Sequence, residues 1–209
     1  MGPMGLWLAD APLILASQSS ARRMLLTAAG VPVESRPADL DERGLERGLK
    51  AAATVQSAGA VAALLAREKA IAVESRYRGR LTLGADQTLT LGAKRLAKPA
   101  DRKTARAQLR ELCGRTHELH SAIAFVQHGA VLCEYVGVAR LTMRNFSDDF
   151  LELYLDAVGD AATASVGAYQ VEGLGGQLFE HVDGDYFTVL GLPLMEALEF
   201  LRRIGCLAR

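Results

Sequence analysis

Apolar and polar positions fall in blocks that switch period along the chain. The run LILAS at 13–17 is apolar up to its last residue and predicts a buried strand. From 22 to 29 the apolar positions recur with helical spacing, and Gly30 stands where a helix stops. Residues 31–37 (VPVESRP) alternate like a strand, Asp41 and Glu42 follow in a polar loop, and 55–75, rich in Ala, Leu, Glu and Lys, predict one long helix. Residues 81–99 read as β, with a turn around Gly92 and Ala93 and a stop at Pro99. Asp101 is placed to cap a helix with Ala105, Leu109 and Leu112 on one face and Gly114 as its stop. Strand-like runs at 118–128 and 130–144, separated by Gly129, predict a hairpin, and Ser147 begins a helix ending near Val158. A glycine-rich stretch at 167–176 (GAYQVEGLGG), a strand at 177–182, an Asp183-Gly184 turn and an amphipathic helix after Pro193 complete the chain. Helices alternate with strands, but the hairpin excludes a purely parallel sheet. The prediction is a mixed α/β fold with an elongated sheet.

Composition narrows the functional classes. With 209 residues, half of them apolar, the chain can bury the core of one large domain or of two tightly joined lobes. Its 24 basic and 24 acidic residues cancel, so bulk charge recommends neither nucleic acid nor an anionic membrane, and any anion site must be local. Cys113, Cys133 and Cys206 are odd in number and far apart, with no CxxC, which suggests neither a disulfide framework nor a zinc cluster and fits a reducing cytoplasm. The apolar N-terminal stretch lacks a basic flank and is interrupted by Asp10 and Pro12, and no other segment is long and apolar enough to span a bilayer.

Common nucleotide, zinc and serine-hydrolase motifs are missing: there is no GxxxxGK[ST], GxGxxG, HExxH or GxSxG. Polar residues instead gather at the ends of apolar elements. Ser19 and Arg22 lie three apart at a helix start, where a cation opposes the helix dipole by a few tenths to about 1 kcal/mol. An anion bound there would reverse the sign, since backbone N–H groups, hydroxyls and a guanidinium would converge on phosphate oxygens; a solvated surface arginine is the alternative. Asp86 sits in the apolar run LTLGADQTLTL, as a general base, a metal ligand or an edge-strand carboxylate, and Gly84 beside it would permit a ligand to approach closely. Lys69 reads as a residue of a solvated helix face, and Lys98 before Pro99 is ambiguous by itself. Arg115 and His117 follow a helix end, where basic residues complement the dipole. The glycine-rich loop carries Gln170 and Glu172 and can wrap a base or turn a corner.

Taken in order, these segments resemble the Maf family of nucleoside triphosphate pyrophosphatases. The matching pieces are LILASQSSARRMLL from Leu13, Asp41-Glu42, REKA with Lys69, GADQ with Asp86, AKPADR with Lys98, GRTHE from Arg115, EGLGG from Glu172 and DGDYFTVLGLPL from Asp183. The resemblance implies an α/β fold of two lobes with a nucleotide cleft between them, a domain over 13–205, and 1–12 as an N-terminal extension. It implies hydrolysis of a nucleoside triphosphate between the α and β phosphates, with Mg²⁺ or Mn²⁺. Asp86 becomes the proton acceptor and, with Glu42, a metal-binding residue; Lys69 and Lys98 join the catalytic set; Ser19, Arg22, Arg115 and His117 bind substrate. The expected partner is a nucleoside triphosphate, with room for a homodimer and no role for nucleic acid or membrane.

Two substrate types in the resembling family differ at three positions near the base. Those acting on dTTP and UTP have Arg, Thr and Gln there, and those acting on 7-methyl-GTP have Trp, Gln and Glu. This chain has Ala21, Gln87 and Glu172, so two positions follow the 7-methyl-GTP type and Ala21 follows neither. A carboxylate at 172 can accept from the guanine N1–H and amino group, whereas thymine and uracil offer one such donor. Other departures are Ser20 in place of the usual Pro and Ser121 near a usual Thr. A pyrimidine-type pyrophosphatase, a nucleotide-binding regulator of cell division without turnover, and a phosphatase releasing single phosphates are the rival functions.

Overall fold

The computed structural model describes residues 5–41, 44–45 and 57–209. Two short parallel pairings open the fold: β1 (Leu13–Leu15) lies between β2 (Val33–Ser35) and the long β3 (Thr82–Leu91). The rest of the sheet is antiparallel. β3 pairs with β5 (Thr116–Gln127), β5 with β6 (Ala130–Met143) and β6 with β7 (Phe179–Asp183), while the short β4 (Lys94–Leu96) folds back on β3. The order β2-β1-β3-β5-β6-β7 is thus a mixed sheet, as the hairpin signal predicted, and the β5–β6 turn places His128 and Gly129 at φ 52° and 73°, the left-handed pair of a tight hairpin.

Helices cover both faces. On one side lies α2 (Ala58–Glu74), whose Ala62, Ala66, Ala70 and Val73 repeat at helical spacing and are fully buried. Small residues let the helix axis come close to the strands. At Gly84 of β3 this reaches backbone contact, since a Cβ there would lie 2.0 Å from the Ala66 carbonyl oxygen. The close approach that Gly84 allows is therefore to a helix of the same chain, not to a ligand.

The opposite face carries two apolar clusters. Leu13, Leu15, Leu83, Ala85 and Phe125 pack with Leu25 and Leu26 of α1 (Ser20–Ala28) and with Phe200 of α6 (Leu194–Arg203). Further along the strands, Leu89, Leu119 and Leu141 pack with α3 (Arg102–Leu112) and α4 (Asp148–Val158). Those two helices carry matching charges at four-residue spacing on their exposed sides: Arg102 meets Asp156, Arg106 meets Glu152 and Arg110 meets Asp148. Such exposed pairs fix the helix register more than they add stability.

Within the expected N-terminal extension, Trp7 and Leu8 meet the C-terminal end of the chain. Trp7 bridges to Leu207, Leu8 N–H donates to the Cys206 carbonyl at 2.8 Å, and Trp7 packs on the cluster of Phe125 and Phe200. Residues on both sides of 13–205 thus close over the same core.

Replacing Gly84 with Ala forces the β3–α2 contact apart. We expect Gly84→Ala to lower the free energy of unfolding in urea by about 3 kcal/mol. A change within 0.5 kcal/mol would mean that α2 yields freely at this contact.

Candidate functional site

The chain passes from β1 through α1 to β2 on one side of β1, then through α2 to β3 on the other. The carboxyl end of β1 is therefore a topological switch point, the place where open α/β sheets receive ligands. β1 pairs with β3 as far as Leu83, and β4 takes up the same edge at Leu89. Between them, residues 84–88 of β3 face a notch in the sheet. Its floor is β3, one rim is the start of α1, and the other rim is the chain leaving β4 two residues before Lys98.

Ser19 forms the first rim as the N-cap of α1, its Oγ accepting from the Arg22 N–H at 3.3 Å. The helix begins at Ser20, two residues before the helical spacing read from 22. Arg22 turns its guanidinium across the notch. Nη1 donates to the Ala85 carbonyl at 2.7 Å and to Ser17 Oγ at 3.3 Å, and Nε donates to the Gly191 carbonyl at 2.9 Å. The expected phosphate ligand thus spends these donors on the protein. It ties α1, the free edge of β3 and the turn before α6 into one frame, and it offers an anion chiefly its charge. Arg23, its neighbour, is exposed.

On the floor, successive residues point to opposite faces. Asp86 faces α2, is 8% exposed, and accepts from Lys69 Nζ at 2.6 Å. Lys69 is half-buried, not a solvated face residue, because the Ala66 and Ala70 contacts at Gly84 bring its turn of helix against the strand. Gln87 faces the other way. Its Nε2 donates to Ser121 Oγ at 2.9 Å and to the carbonyls of Val189 at 3.0 Å and Thr188 at 3.2 Å, at the end of α5 (Tyr186–Val189). Ser121 Oγ in turn donates to the Thr188 carbonyl at 2.7 Å. The expected base-selecting amide is thereby also a brace for α5. Ala21 lies half-buried in the first turn of α1, and Lys98 is exposed on the far rim.

Other expected site residues lie elsewhere. Ala122 opposes Asp86, and His117 is five residues along β5, about 17 Å at the rise of a strand. Its side chain is buried in the distal apolar cluster, where Nε2 shares a 2.6 Å hydrogen bond with Tyr169 Oη and the ring packs on Tyr169 and Phe179. Burial pushes its pKa down to about 4. A direct contact between His117 and substrate at the notch is excluded by this placement. Arg115 is exposed at the same end, its Nη1 3.5 Å from the Glu111 carbonyl, in keeping with a cation at a helix C-terminus. Glu172 is exposed in the turn of the glycine-rich loop. That loop packs on the Gln87 face, with Gly167 against Leu89, and borders a cleft of about 240 Å³ lined by Tyr154, Gln170, Leu174 and Gly175 among others. Glu42 lies outside the described residues.

Sequence reasoning missed Ser17, Ser121, Thr188 and Gly191. They hold the site through hydroxyls and backbone carbonyls, which leave no charge or spacing signal. Among the described residues no group of three His, Cys, Asp or Glu side chains converges as a metal cage, and no helix is long and apolar enough to cross a membrane. The hard carboxylate oxygens of Asp86 suit Mg²⁺ or Mn²⁺ shared with phosphates and water, the usual way such ions are held in nucleotide sites.

Residues 12–204 match the family described as Maf-like protein. A protein of Rhodopseudomonas palustris (strain BisB5) named nucleoside triphosphate pyrophosphatase is 58% identical over 199 residues, covering 95% of this chain and 96% of its own length. One of the same name from Bradyrhizobium diazoefficiens is 55% identical over 95% of this chain and 96% of its own. A protein of Rhizobium etli named 7-methyl-GTP pyrophosphatase is 49% identical over 92% of this chain and 96% of its own.

The burial of His117 makes stability depend on acid. Because its folded pKa is below the ordinary value of 6.5, its neutral form stabilises the fold fully above 6.5, and that contribution is lost as pH falls from 6.5 to about 4. The loss amounts to about 3 kcal/mol. Urea denaturation of the wild type and His117→Gln at pH 7, 5 and 4 should show the two curves diverging in this window; parallel curves would contradict it.

Proposed function

The chain belongs to the Maf-like family, and from that premise we propose that the notch at the end of β1 binds a nucleoside triphosphate and cleaves it between the α and β phosphates. The chain is an enzyme, a nucleoside triphosphate pyrophosphatase that hydrolyses a phosphoanhydride bond. The observation that carries the mechanism is the Lys69–Asp86 pair, held at 2.6 Å on the floor of the notch.

In this mechanism a water bound beside Asp86 attacks the α phosphorus. A new P–O bond forms, the bond from that phosphorus to the bridging oxygen breaks, and pyrophosphate leaves with the bond's electron pair. The proton lost by the water passes to the Asp86 carboxylate. Lys69, already hydrogen-bonded to Asp86, orients the carboxylate and places an ammonium near the phosphates. Ser19 and the first-turn N–H groups of α1 meet phosphate oxygens from one rim, Lys98 from the other, and Arg22 adds charge while holding the frame. Cations from separate segments offset a ligand of about four negative charges, so a chain with no net charge can bind one. A divalent ion, when bound to Asp86 and the phosphates, would neutralise further charge and polarise the bond that breaks. Glu42 is proposed as its second protein oxygen.

The finer reading is that 7-methyl-GTP is a preferred substrate. It is supported by Gln87 and Glu172, which follow that type, and by the similarity to the Rhizobium etli protein of that name. Against Ala21, a position without a stacking or charged side chain, the selectivity is expected to be broader than in a protein with Trp there. A cytoplasmic setting fits three free cysteines.

The test is product analysis of a nucleotide panel, with and without Mg²⁺ or Mn²⁺. Monophosphate and pyrophosphate should appear, with 7-methyl-GTP turned over faster than UTP or dTTP, and Asp86→Asn should lower kcat by about 100-fold or more while nucleotide still binds. Release of single phosphates, or full activity of Asp86→Asn, would overturn the mechanism; a pyrimidine preference would overturn only the substrate reading.

A further inference from the structure

The glycine-rich loop is held from within by a chain of contacts that begins at His117. β5 points His117 against Tyr169 and Phe179 in a cluster made mostly of aliphatic side chains, and burying an imidazole there is costly unless it is hydrogen-bonded. Its partner is Tyr169, the loop's own side chain, 5% exposed, with Oη 2.6 Å from His117 Nε2 and its ring edge-on to Phe179 at 4.8 Å. A phenylalanine at 169 and a leucine at 117 would fill the same space without any polar group to satisfy. The pair therefore specifies an arrangement as well as filling volume.

The backbone before Tyr169 is strained to meet that anchor. Gly167 and Ala168 stand at φ 79° and 64°, and a left-handed alanine persists only where its surroundings fix it. Tyr154 Oη donates to the Ala168 carbonyl at 3.2 Å, and Ser165 Oγ donates to the Tyr169 carbonyl at 2.5 Å. Directly after the anchor comes the turn that carries Glu172. Gly173 N–H donates to the Gln170 carbonyl at 3.1 Å, and a Cβ at Gly175 would lie 2.4 Å from that same oxygen. Glu172 thus projects from a turn clamped between Tyr169 on one side and Gly175 on the other.

We propose that the His117–Tyr169 hydrogen bond is a positioning pair for substrate selection: it fixes the loop so that Glu172 meets the base in one orientation. This rests on the reading that Glu172 contacts the base. Neither residue of the pair touches substrate; they act through the backbone of 169–173. The pair sits on the face opposite the Lys69–Asp86 contact, so losing it changes recognition and leaves the bond-breaking groups in place.

The experiment compares wild type, Tyr169→Phe, His117→Gln and Glu172→Gln for pyrophosphate release from 7-methyl-GTP and UTP, with amide exchange over 170–176. Tyr169→Phe should raise KM for 7-methyl-GTP roughly five-fold, reduce discrimination over UTP by the same factor, leave kcat within about two-fold and speed exchange in the loop. His117→Gln, which keeps a group able to bond Tyr169 Oη, should retain most of the discrimination. If Tyr169→Phe does not fold, the double variant His117→Leu with Tyr169→Phe, which removes both polar partners, should show the same KM effect. Unchanged discrimination in Tyr169→Phe while Glu172→Gln loses it would overturn the positioning role and leave the base contact standing. Unchanged discrimination in Glu172→Gln would overturn the base contact and the proposal with it.

Discussion

How closely α2 lies on β3 governs the geometry of the notch. Gly84 has no side chain, so the Ala66 and Ala70 backbone can rest on the strand, and that contact brings Lys69 of the same helical turn within 2.6 Å of Asp86, two residues along. A wider separation would leave a carboxylate facing apolar neighbours and a lysine reaching for solvent. A small-residue face on α2, a glycine on β3 and a paired ion at the switch point are consequently one structural decision. The alanines that look like mere helix formers in the sequence are what allow the pair to form.

The cations at the notch are spent unequally. Lys69 is bonded to a carboxylate, Arg22 to two backbone carbonyls and a hydroxyl, and Lys98 is exposed on the far rim. This explains the arginine at the start of α1, where the helix dipole disfavours a cation. Charge-assisted hydrogen bonds to carbonyls are worth more than the few tenths to about 1 kcal/mol that the dipole costs. Arg22 stays at the helix start because the edge of β3 between β1 and β4 needs a donor, and the guanidinium supplies it while keeping positive charge at the place proposed for the phosphates.

Much of this was legible from pattern. Strand and helix periods gave the element order, Ser19, Asp101 and Ser147 do cap helices, and the glycines at 30, 114 and 129 stand where the left-handed backbone requires them. The resemblance to a family pointed to Asp86 and Lys69, which the fold brings together. What pattern could not show was side-chain direction at a distance. His117 shares a short motif with Arg115, yet β5 begins only at Thr116, so His117 points from the strand into the core while Arg115, before the strand, stays in water, and only the register of β5 against β3 reveals that His117 is about 17 Å from the row of Asp86. Gly84 was misread for a related reason, since a close approach by a helix and one by a ligand leave the same trace in a sequence. Ser121, Thr188 and Gly191 act through backbone partners and leave none.

Strand alternation also separates two tasks. Asp86 and Gln87 are adjacent, so their side chains must leave β3 on opposite faces: Asp86 meets Lys69 from α2, and Gln87 meets Ser121 and α5, beside the apolar cluster on which the glycine-rich loop is built. In the proposed reading, hydrolysis depends on the first face and choice of base on the second. A substitution in the loop or under it then alters which nucleotide is held without moving the proton acceptor, because the two faces share only the backbone of β3. That division lets a chain with Ala21, Gln87 and Glu172 depart from either set of base contacts while keeping the Lys69–Asp86 pair intact, which is what relatives of one fold and one chemistry with different bases would require.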